Sequence, residues 1–109
     1  MENLDFTSRQ HGDWCVIDVR GRLDRTNAAA AGSELEKILA ANGKIVLELS
    51  EVEYISSAGL RILLRLAQQA EGAGKEYAIC CGEGFVKEVL EDSNMDMLIK
   101  VCASLNELG

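Results

Sequence analysis

The chain has 109 residues, 48% of them hydrophobic, a size and composition that fit one compact domain over residues 1–109. Its 11 Lys and Arg residues against 18 Asp and Glu residues give a net charge of −7, the opposite of a basic nucleic-acid-binding surface, so we expect no direct binding to nucleic acid. It has neither a membrane-spanning apolar run nor a secretory leader, so we expect no membrane insertion and a cytoplasmic location.

The first two predicted elements form a β-hairpin. Leu4 and Phe6 alternate with polar neighbours, and a β-prone run at residues 14–19 follows turn residues at 11–13. Gly21 then predicts the end of the second strand, because glycine weakens strand interiors.

A helix, a buried strand and a second helix are predicted next. Apolar residues recur at helical spacing from residue 26 to residue 41, and Gly43 predicts the helix end. Residues 45–49 form a mostly apolar run, typical of a parallel strand covered on both faces. The next predicted helix begins at Ser57 and closes near Gly72. Its apolar stripe consists of Leu60, Leu63, Leu64, Ala67 and Ala70.

The remaining segment continues the alternation of strands and helices. Residues 77–81 predict a fourth strand, residues 98–101 predict a fifth, and a helix between them ends near residues 92–94. The inner face predicted for that helix consists of Phe85, Val86, Val89 and Leu90. Ser104 and Glu107 have the spacing of a capping box, which predicts a short C-terminal helix.

This element order predicts an α/β fold: a mixed sheet of about five strands, with an N-terminal β-hairpin and about four helices packed on it. In such sheets the loops at the carboxyl ends of parallel strands lie on one edge and carry most of the function. The loops at residues 21–26 and 50–57 follow the second and third strands. We therefore expect these two loops to be neighbours in space.

The four cysteines lie in apolar stretches and lack the C-x-x-C spacing or partnering histidines of a metal or dithiol site. They are Cys15, Cys80, Cys81 and Cys102. This pattern predicts buried, reduced thiols, with the adjacent pair Cys80 and Cys81 as the one candidate for redox or catalytic chemistry.

Three segments together resemble the STAS family, and the resemblance runs nearly end to end. They are Gly21-Arg22-Leu23-Asp24, Ile45-Val46-Leu47-Glu48-Leu49-Ser50 and Tyr54-Ile55-Ser56-Ser57-Ala58-Gly59-Leu60-Arg61. In the anti-sigma factor antagonists of that family, a partner anti-sigma kinase phosphorylates a serine at the start of a helix. Ser57 matches that serine, and Ser56 is the less favoured acceptor. Many members have Asp-Ser-Ser-Gly where this chain has Ser56-Ser57-Ala58-Gly59.

The position of Ser57 also suits phosphorylation on physical grounds, because the first turn of a helix presents unpaired N–H groups and a partial positive charge. The alternative is that Ser57 is a plain N-cap with no regulatory role. Ser57, Arg61 and Arg65 stand at i, i+4 and i+8, so they form one row that continues roughly towards Gln68. That row is either a docking face for a partner protein or a solvated helix surface paired with nearby acids.

Asp24 likewise has two interpretations. It is a helix N-cap ahead of Thr26 and Asn27, or it is an acid beside the phosphorylated serine that helps to orient the hydroxyl, as the resemblance implies. The partner-binding residues implied by the resemblance are Asp24, Thr26, Ser56, Ser57, Gly59, Arg61 and Arg65.

The resemblance implies a regulator without catalytic activity or cofactor. The unmodified protein would bind an anti-sigma serine kinase and free a sigma factor, the phosphorylated protein would release the kinase, and a serine phosphatase would reset the cycle. An alternative with the same fold is an accessory subunit of a membrane lipid transporter or a component of a signalling scaffold, which co-purification with a membrane complex would indicate. A small cysteine-dependent phosphotransferase would instead require a reactive thiol.

Overall fold

The computed structural model describes residues 3–108, whose strands form one sheet in the order β1-β2-β3-β4-β5. The strands are β1 (Leu4–His11), β2 (Trp14–Leu23), β3 (Lys44–Ile55), β4 (Glu76–Cys80) and β5 (Lys100–Cys102). The helices are α1 (Ala28–Ala41), α2 (Ser57–Gly72) and α3 (Phe85–Asp92), with short 3₁₀ helices at Met95–Met97 and Leu105–Leu108.

The strand directions confirm the predicted mixed sheet. β1 pairs with β2 antiparallel, as the predicted hairpin requires, and the pairs β2–β3, β3–β4 and β4–β5 are all parallel. Within residues 3–108, three α-helices and two 3₁₀ helices correspond to the approximately four helices expected. The fold is therefore α/β, with each parallel crossover made through a helical segment.

The two faces of the sheet are covered unequally. The main core lies where Ile17, Leu47 and Ile79 meet the buried sides of α1, α2 and α3. The opposite face has a small cluster against which the C-terminal 3₁₀ helix packs Leu105 and Leu108. That cluster consists of Trp14, Val16, Val46, Ala78, Cys80 and Cys102. The apolar run of β3 is thus buried on both faces, as its sequence predicted.

Both strands that lead to the candidate site are longer than predicted. β2 continues through Gly21 to Leu23, and β3 continues through the polar residues after Leu49 to Ile55. Two register shifts, each with an extra residue on β3, keep Val52 and Ile55 buried despite the irregular pattern of apolar residues. The prediction that Gly21 ends the strand was wrong, and the segment assigned to the loop at 50–57 is mostly strand.

Other predicted boundaries change for local reasons. α1 begins at Ala28 rather than at residue 26, because the preceding residues form a hydrogen-bonded turn. Phe85 was wrongly placed on an inner helix face, since it is 46% exposed at the start of α3, whereas Val86 and Leu90 are buried. The last strand is shifted to Lys100–Cys102, because the chain before it forms a 3₁₀ turn.

The predicted C-terminal cap is present in part. The Glu107 carboxylate accepts hydrogen bonds from the backbone N–H groups of Ala103 and Ser104, at 2.8 and 3.1 Å. This is the return half of a capping box, in which an acid satisfies free N–H groups at a helix start. These hydrogen bonds close the start of the 3₁₀ helix, whose Leu105 and Leu108 pack on the second face of the sheet.

All four cysteines are buried and unpaired, as the sequence predicted. Burial raises the pKa of the Cys80 thiol to about 12 and also raises the pKa of the neighbouring Cys81 thiol. At neutral pH both sulfurs are therefore protonated, which disfavours a nucleophilic or redox role for this pair. In the described part of the chain, no helix has the length and apolar character needed to cross a membrane.

Gly21 is the position where the backbone most clearly excludes a side chain. Its φ is +109°, and a Cβ there would lie 2.2 Å from the Asn3 carbonyl oxygen, which accepts a hydrogen bond from Arg22 N at 2.8 Å. We expect Gly21→Ala to lower the free energy of unfolding by at least about 2 kcal/mol, because backbone strain and overpacking add. Urea denaturation measures the change.

Gly72→Ala is the matched control for that variant. Gly72 ends α2, and a Cβ there meets nothing within 4 Å, so the substitution should leave stability unchanged or raise it by up to about 1 kcal/mol. Equal stabilities for the two variants would contradict the assigned role of Gly21.

Candidate functional site

The carboxyl ends of β2 and β3 meet side by side. Leu23 and Ile55 are the last residues in register between the two strands, and Ser56 N donates to the Leu23 carbonyl oxygen at 2.9 Å. One residue later each chain turns towards a helix, β2 towards α1 and β3 towards α2. The expectation that the two following loops are neighbours is confirmed.

The two serines at the start of α2 have different environments. Ser56 is the N-cap: its backbone is extended, and its Oγ accepts a hydrogen bond from Gly59 N at 3.2 Å. Ser57 is the first residue of the helix and is exposed, and its hydroxyl makes no hydrogen bond to any residue between 3 and 108. The N-cap role considered for Ser57 therefore belongs to Ser56.

Gly59 lies beneath the start of α2. It is buried, and a Cβ there would lie 2.9 Å from Leu23 Cγ and from Ile55 Cγ1, and 3.0 Å from the Leu23 carbonyl oxygen. Any larger residue would push the first turn of α2 away from the end of β2. Gly59 thus allows the first turn of α2, which carries Ser57, to pack close to the ends of β2 and β3.

Asp24 stabilises the turn between β2 and α1. Its Oδ1 accepts hydrogen bonds from Thr26 N at 2.9 Å and from Thr26 Oγ1 at 2.5 Å. The hydrogen bond from the Thr26 side chain, followed by that from its backbone N–H, lowers the pKa of the Asp24 carboxyl. The N-cap of α1 is Asn27, so the interpretation of Asp24 as the helix cap was wrong.

Asn27 is a structural residue of this loop that the sequence analysis did not identify. It is 4% exposed, accepts a hydrogen bond from Asp24 N at 3.0 Å and donates one from Nδ2 to the Arg22 carbonyl oxygen at 2.8 Å. The buried amide therefore ties the last residues of β2 to the start of α1. A polar residue just ahead of a run of alanines was the available signal.

The predicted row on α2 faces outward: Ser57, Arg61 and Arg65 are all exposed, as is Gln68. Arg65 Nε lies 3.3 Å from Glu36 Oε1 on α1, so this arginine spans the space between the two helices. Arg61 has no carboxylate within ion-pair distance in the described part of the chain. Arg65 therefore fits the interpretation of the row as a helix surface paired with nearby acids, whereas Arg61 does not.

A partly exposed aromatic cluster stands beside the same edge of the sheet and was also missed. The Arg22 guanidinium lies 4.5 Å from the centre of the Tyr54 ring, and the rings of Tyr54 and Phe85 stack at 6.0 Å with planes 20° apart. Tyr54 precedes Ile55 at the end of β3, and Phe85 opens α3. We name Arg22, Tyr54 and Phe85 the aromatic cluster.

These features resemble proteins of one family. The model of the STAS domain family matches residues 5–108. The Bordetella bronchiseptica protein named "Putative anti-sigma factor antagonist BtrV" is 32% identical over 90 residues, covering 82% of this chain and 78% of that protein.

Solved structures show the same fold. The structure of an anti-sigma factor antagonist from Mycobacterium paratuberculosis has a TM-score of 0.86 at 20% identity, covering 95% of this chain and 89% of that one. The anti-sigma factor antagonist SpoIIAA in its unphosphorylated form has a TM-score of 0.75 at 15% identity, covering 95% and 92%. The phosphorylated form of SpoIIAA from Bacillus has a TM-score of 0.69 at 15% identity, covering 95% and 96%.

Three observations agree with one another. They are the family match over nearly the whole described chain, the sequence identity to BtrV and the five-stranded sheet order. The chain belongs to the STAS domain family and is similar, within that family, to proteins named as anti-sigma factor antagonists.

Proposed function

We propose that this protein is a phosphorylation-controlled partner switch. When Ser57 is unmodified, the protein binds an anti-sigma serine kinase, and the sigma factor that the kinase had held is released to activate transcription. When Ser57 is phosphorylated, the protein dissociates from the kinase. A serine phosphatase restores the unmodified form, and the cycle runs in the cytoplasm, where ATP and sigma factors are present.

The observation that carries this proposal is the exposed Ser57 hydroxyl at the first position of α2. A kinase active site must surround its acceptor oxygen, so an acceptor needs to project from the surface. Ser56 is proposed as the poorer acceptor, because this residue is half-buried and its Oγ already accepts a hydrogen bond from Gly59 N. The cap geometry therefore supports the proposed preference for Ser57 over Ser56.

The chemistry proposed for Ser57 is a phosphoryl transfer in which this protein is the substrate. A bond forms between Ser57 Oγ and the γ-phosphorus of ATP, the bond from that phosphorus to the bridging oxygen breaks, and ADP and a proton leave. The product phosphate carries about −1.5 to −2 charges at a helix start, where N–H groups and the helix dipole favour an anion. The first turn of α2 contains no acidic residue that would repel it.

Because the fold tolerates the phosphate, we expect phosphorylation to change partner binding at the interface rather than the stability of the fold. The docking surface proposed here combines the start of α2, the turn of Asp24 and Thr26, and the aromatic cluster. Aromatic and arginine side chains dominate binding energy at many protein interfaces, and the cluster supplies both. A phosphate among these groups would repel acidic partner residues and prevent close desolvated contact.

The relatives support the proposal. BtrV is named as an antagonist of an anti-sigma factor, and SpoIIAA has been solved both with and without phosphate on a fold like this one. A fold of this type therefore accommodates phosphorylation in SpoIIAA. We transfer that behaviour to the present chain as the proposal, with Ser57 as its acceptor.

Asp24 is proposed to act as a fixed negative charge near the Ser57 loop that helps to orient the acceptor hydroxyl. Its carboxylate is held by Thr26, which favours the ionised form. Since the folded pKa is lowered, the carboxylate stays charged through the pH range in which aspartate ordinarily titrates and becomes neutral only as the pH falls through the lowered value. The charge of Asp24 is then constant throughout the physiological pH range.

The first test maps the phosphate. Incubation of the full chain with an anti-sigma kinase and ATP, followed by mass spectrometry, should place phosphate on Ser57. Ser57→Ala should abolish incorporation, whereas the control Ser56→Ala should retain it. Absence of phosphate from both serines would contradict the proposal.

The second test measures binding to the same kinase by calorimetry. Ser57→Ala should bind in the presence of ATP as well as in its absence, because it cannot be modified. Ser57→Asp should bind at least about tenfold more weakly, the effect of about 1.4 kcal/mol. Ser8→Asp, which adds the same charge at an exposed position on β1, should bind like the unmodified protein. Equal weakening by both aspartates would show that overall charge, not the site, controls binding.

The third test concerns Asp24. Carboxyl NMR titration of the full chain should give Asp24 a pKa below the ordinary value for aspartate. Thr26→Val removes the hydroxyl donor and should raise that pKa, while Thr26→Ser keeps the donor and should preserve it. An unchanged Asp24 pKa in the valine variant would show that the hydroxyl does not stabilise the carboxylate.

A further inference from the structure

A groove of about 540 Å³ runs between α1 and α2, and the residues that line it include Ala58, which follows Ser57 in the chain. Several of the lining side chains are small, including Ala28 and Ala58. Three arginines line it: Arg25 from the turn before α1, and Arg61 and Arg65 from α2. We name this feature the arginine groove.

The charge of the arginine groove is opposite to that of the protein. The whole chain has a net charge of −7, yet the only acid among the groove-lining residues is Glu36, which pairs with Arg65 at 3.3 Å. Neither Arg25 nor Arg61 lies within ion-pair distance of a carboxylate on residues 3–108. Two cations that line the groove, Arg25 and Arg61, are therefore left to bind an external anion.

We propose that the arginine groove docks an acidic peptide segment of the anti-sigma kinase, and that phosphate on Ser57 closes the groove by pairing with Arg61. The inference rests on the proposed function and assigns a mechanism to its switch. Phosphorylation weakens binding here by occupying a cation that the partner needs.

The spacing on α2 permits this pairing. Ser57 and Arg61 are four residues apart on a regular helix, so their side chains lie on the same face and within reach of each other. A guanidinium binds phosphate oxygens through two parallel hydrogen bonds, a stronger contact than a single carboxylate pair in solvent. Since both groups belong to one helix, the internal phosphate has a high effective concentration and displaces an acidic side chain from the partner.

The acidic surroundings favour a short acidic peptide over a long polyanion. Nucleic acid would extend beyond the groove and meet the negative charge that dominates the rest of the surface. A peptide segment with a few Glu or Asp residues would place its charges against Arg25 and Arg61 and still leave the groove after a short span. Charge complementarity is thus local, as a docking segment requires.

The test uses hexaglutamate as the probe and the full-length chain as the receptor, with arginine Nε–H signals followed by NMR. The unmodified protein should show saturable shifts at Arg25 and Arg61, and hexalysine should not reproduce them. Arg61→Ala should weaken hexaglutamate binding about three- to fivefold, the scale of one exposed ion pair. Lys37→Ala removes a cation from α1 that does not line the groove and should have no effect.

Protein with phosphoserine incorporated at position 57 during translation tests the closing step. Hexaglutamate should bind this form at least about tenfold more weakly than the unmodified form, and the Arg61 Nε–H signal should shift on phosphorylation alone. Equal effects of Arg61→Ala and Lys37→Ala would overturn the proposal, as would unchanged affinity in the phosphoserine form.

These measurements need no kinase, so they fail or succeed independently of the phosphate-mapping experiment. If the kinase phosphorylates and releases the protein normally but the arginine groove does not bind hexaglutamate, the docking role of the groove is refuted. The proposed partner switch is then unaffected. If the kinase does not phosphorylate the protein, the partner switch is refuted, whether or not hexaglutamate binds the arginine groove.

Discussion

The hydrogen bond from Ser56 N to the Leu23 carbonyl oxygen joins the ends of the two strands on which the site depends. It extends the parallel pairing of β2 and β3 by one residue beyond their last registered pair, so that both chains leave the sheet from the same point. Gly59 lets the first turn of α2 settle against Leu23. The start of α2 is consequently positioned by backbone contacts, and the neighbouring Asp24 turn is closed by the side chains of Asp24 and Asn27.

The sequence predicted the order and type of the elements because their apolar periodicity is strong. The row of Ser57, Arg61 and Arg65 was also predictable, since the spacing of a regular helix leaves little freedom. The strand ends were not predictable in the same way: Val52 and Ile55 are buried only because register shifts on β3 restore their inward direction. Two-residue alternation contains no signal for such shifts.

The side-chain contacts of the site were less predictable than its location. Asn27 follows Asp24 closely enough that either residue could cap α1, and the choice depends on the exact path of the turn. The aromatic cluster joins residues from β2, β3 and α3 that are far apart in the chain. The sequence placed their elements near one edge of the sheet but contained no measure of which rings would meet there.

Burial of the thiols determines whether this protein can react with oxidants through its cysteines. Peroxide and related oxidants react with accessible thiolates, but burial raises the pKa of Cys80 to about 12 and all four cysteines lie within the fold. If Ser57 is the regulatory site that we propose, these buried thiols add no second, thiol-based input to it as long as the protein remains folded.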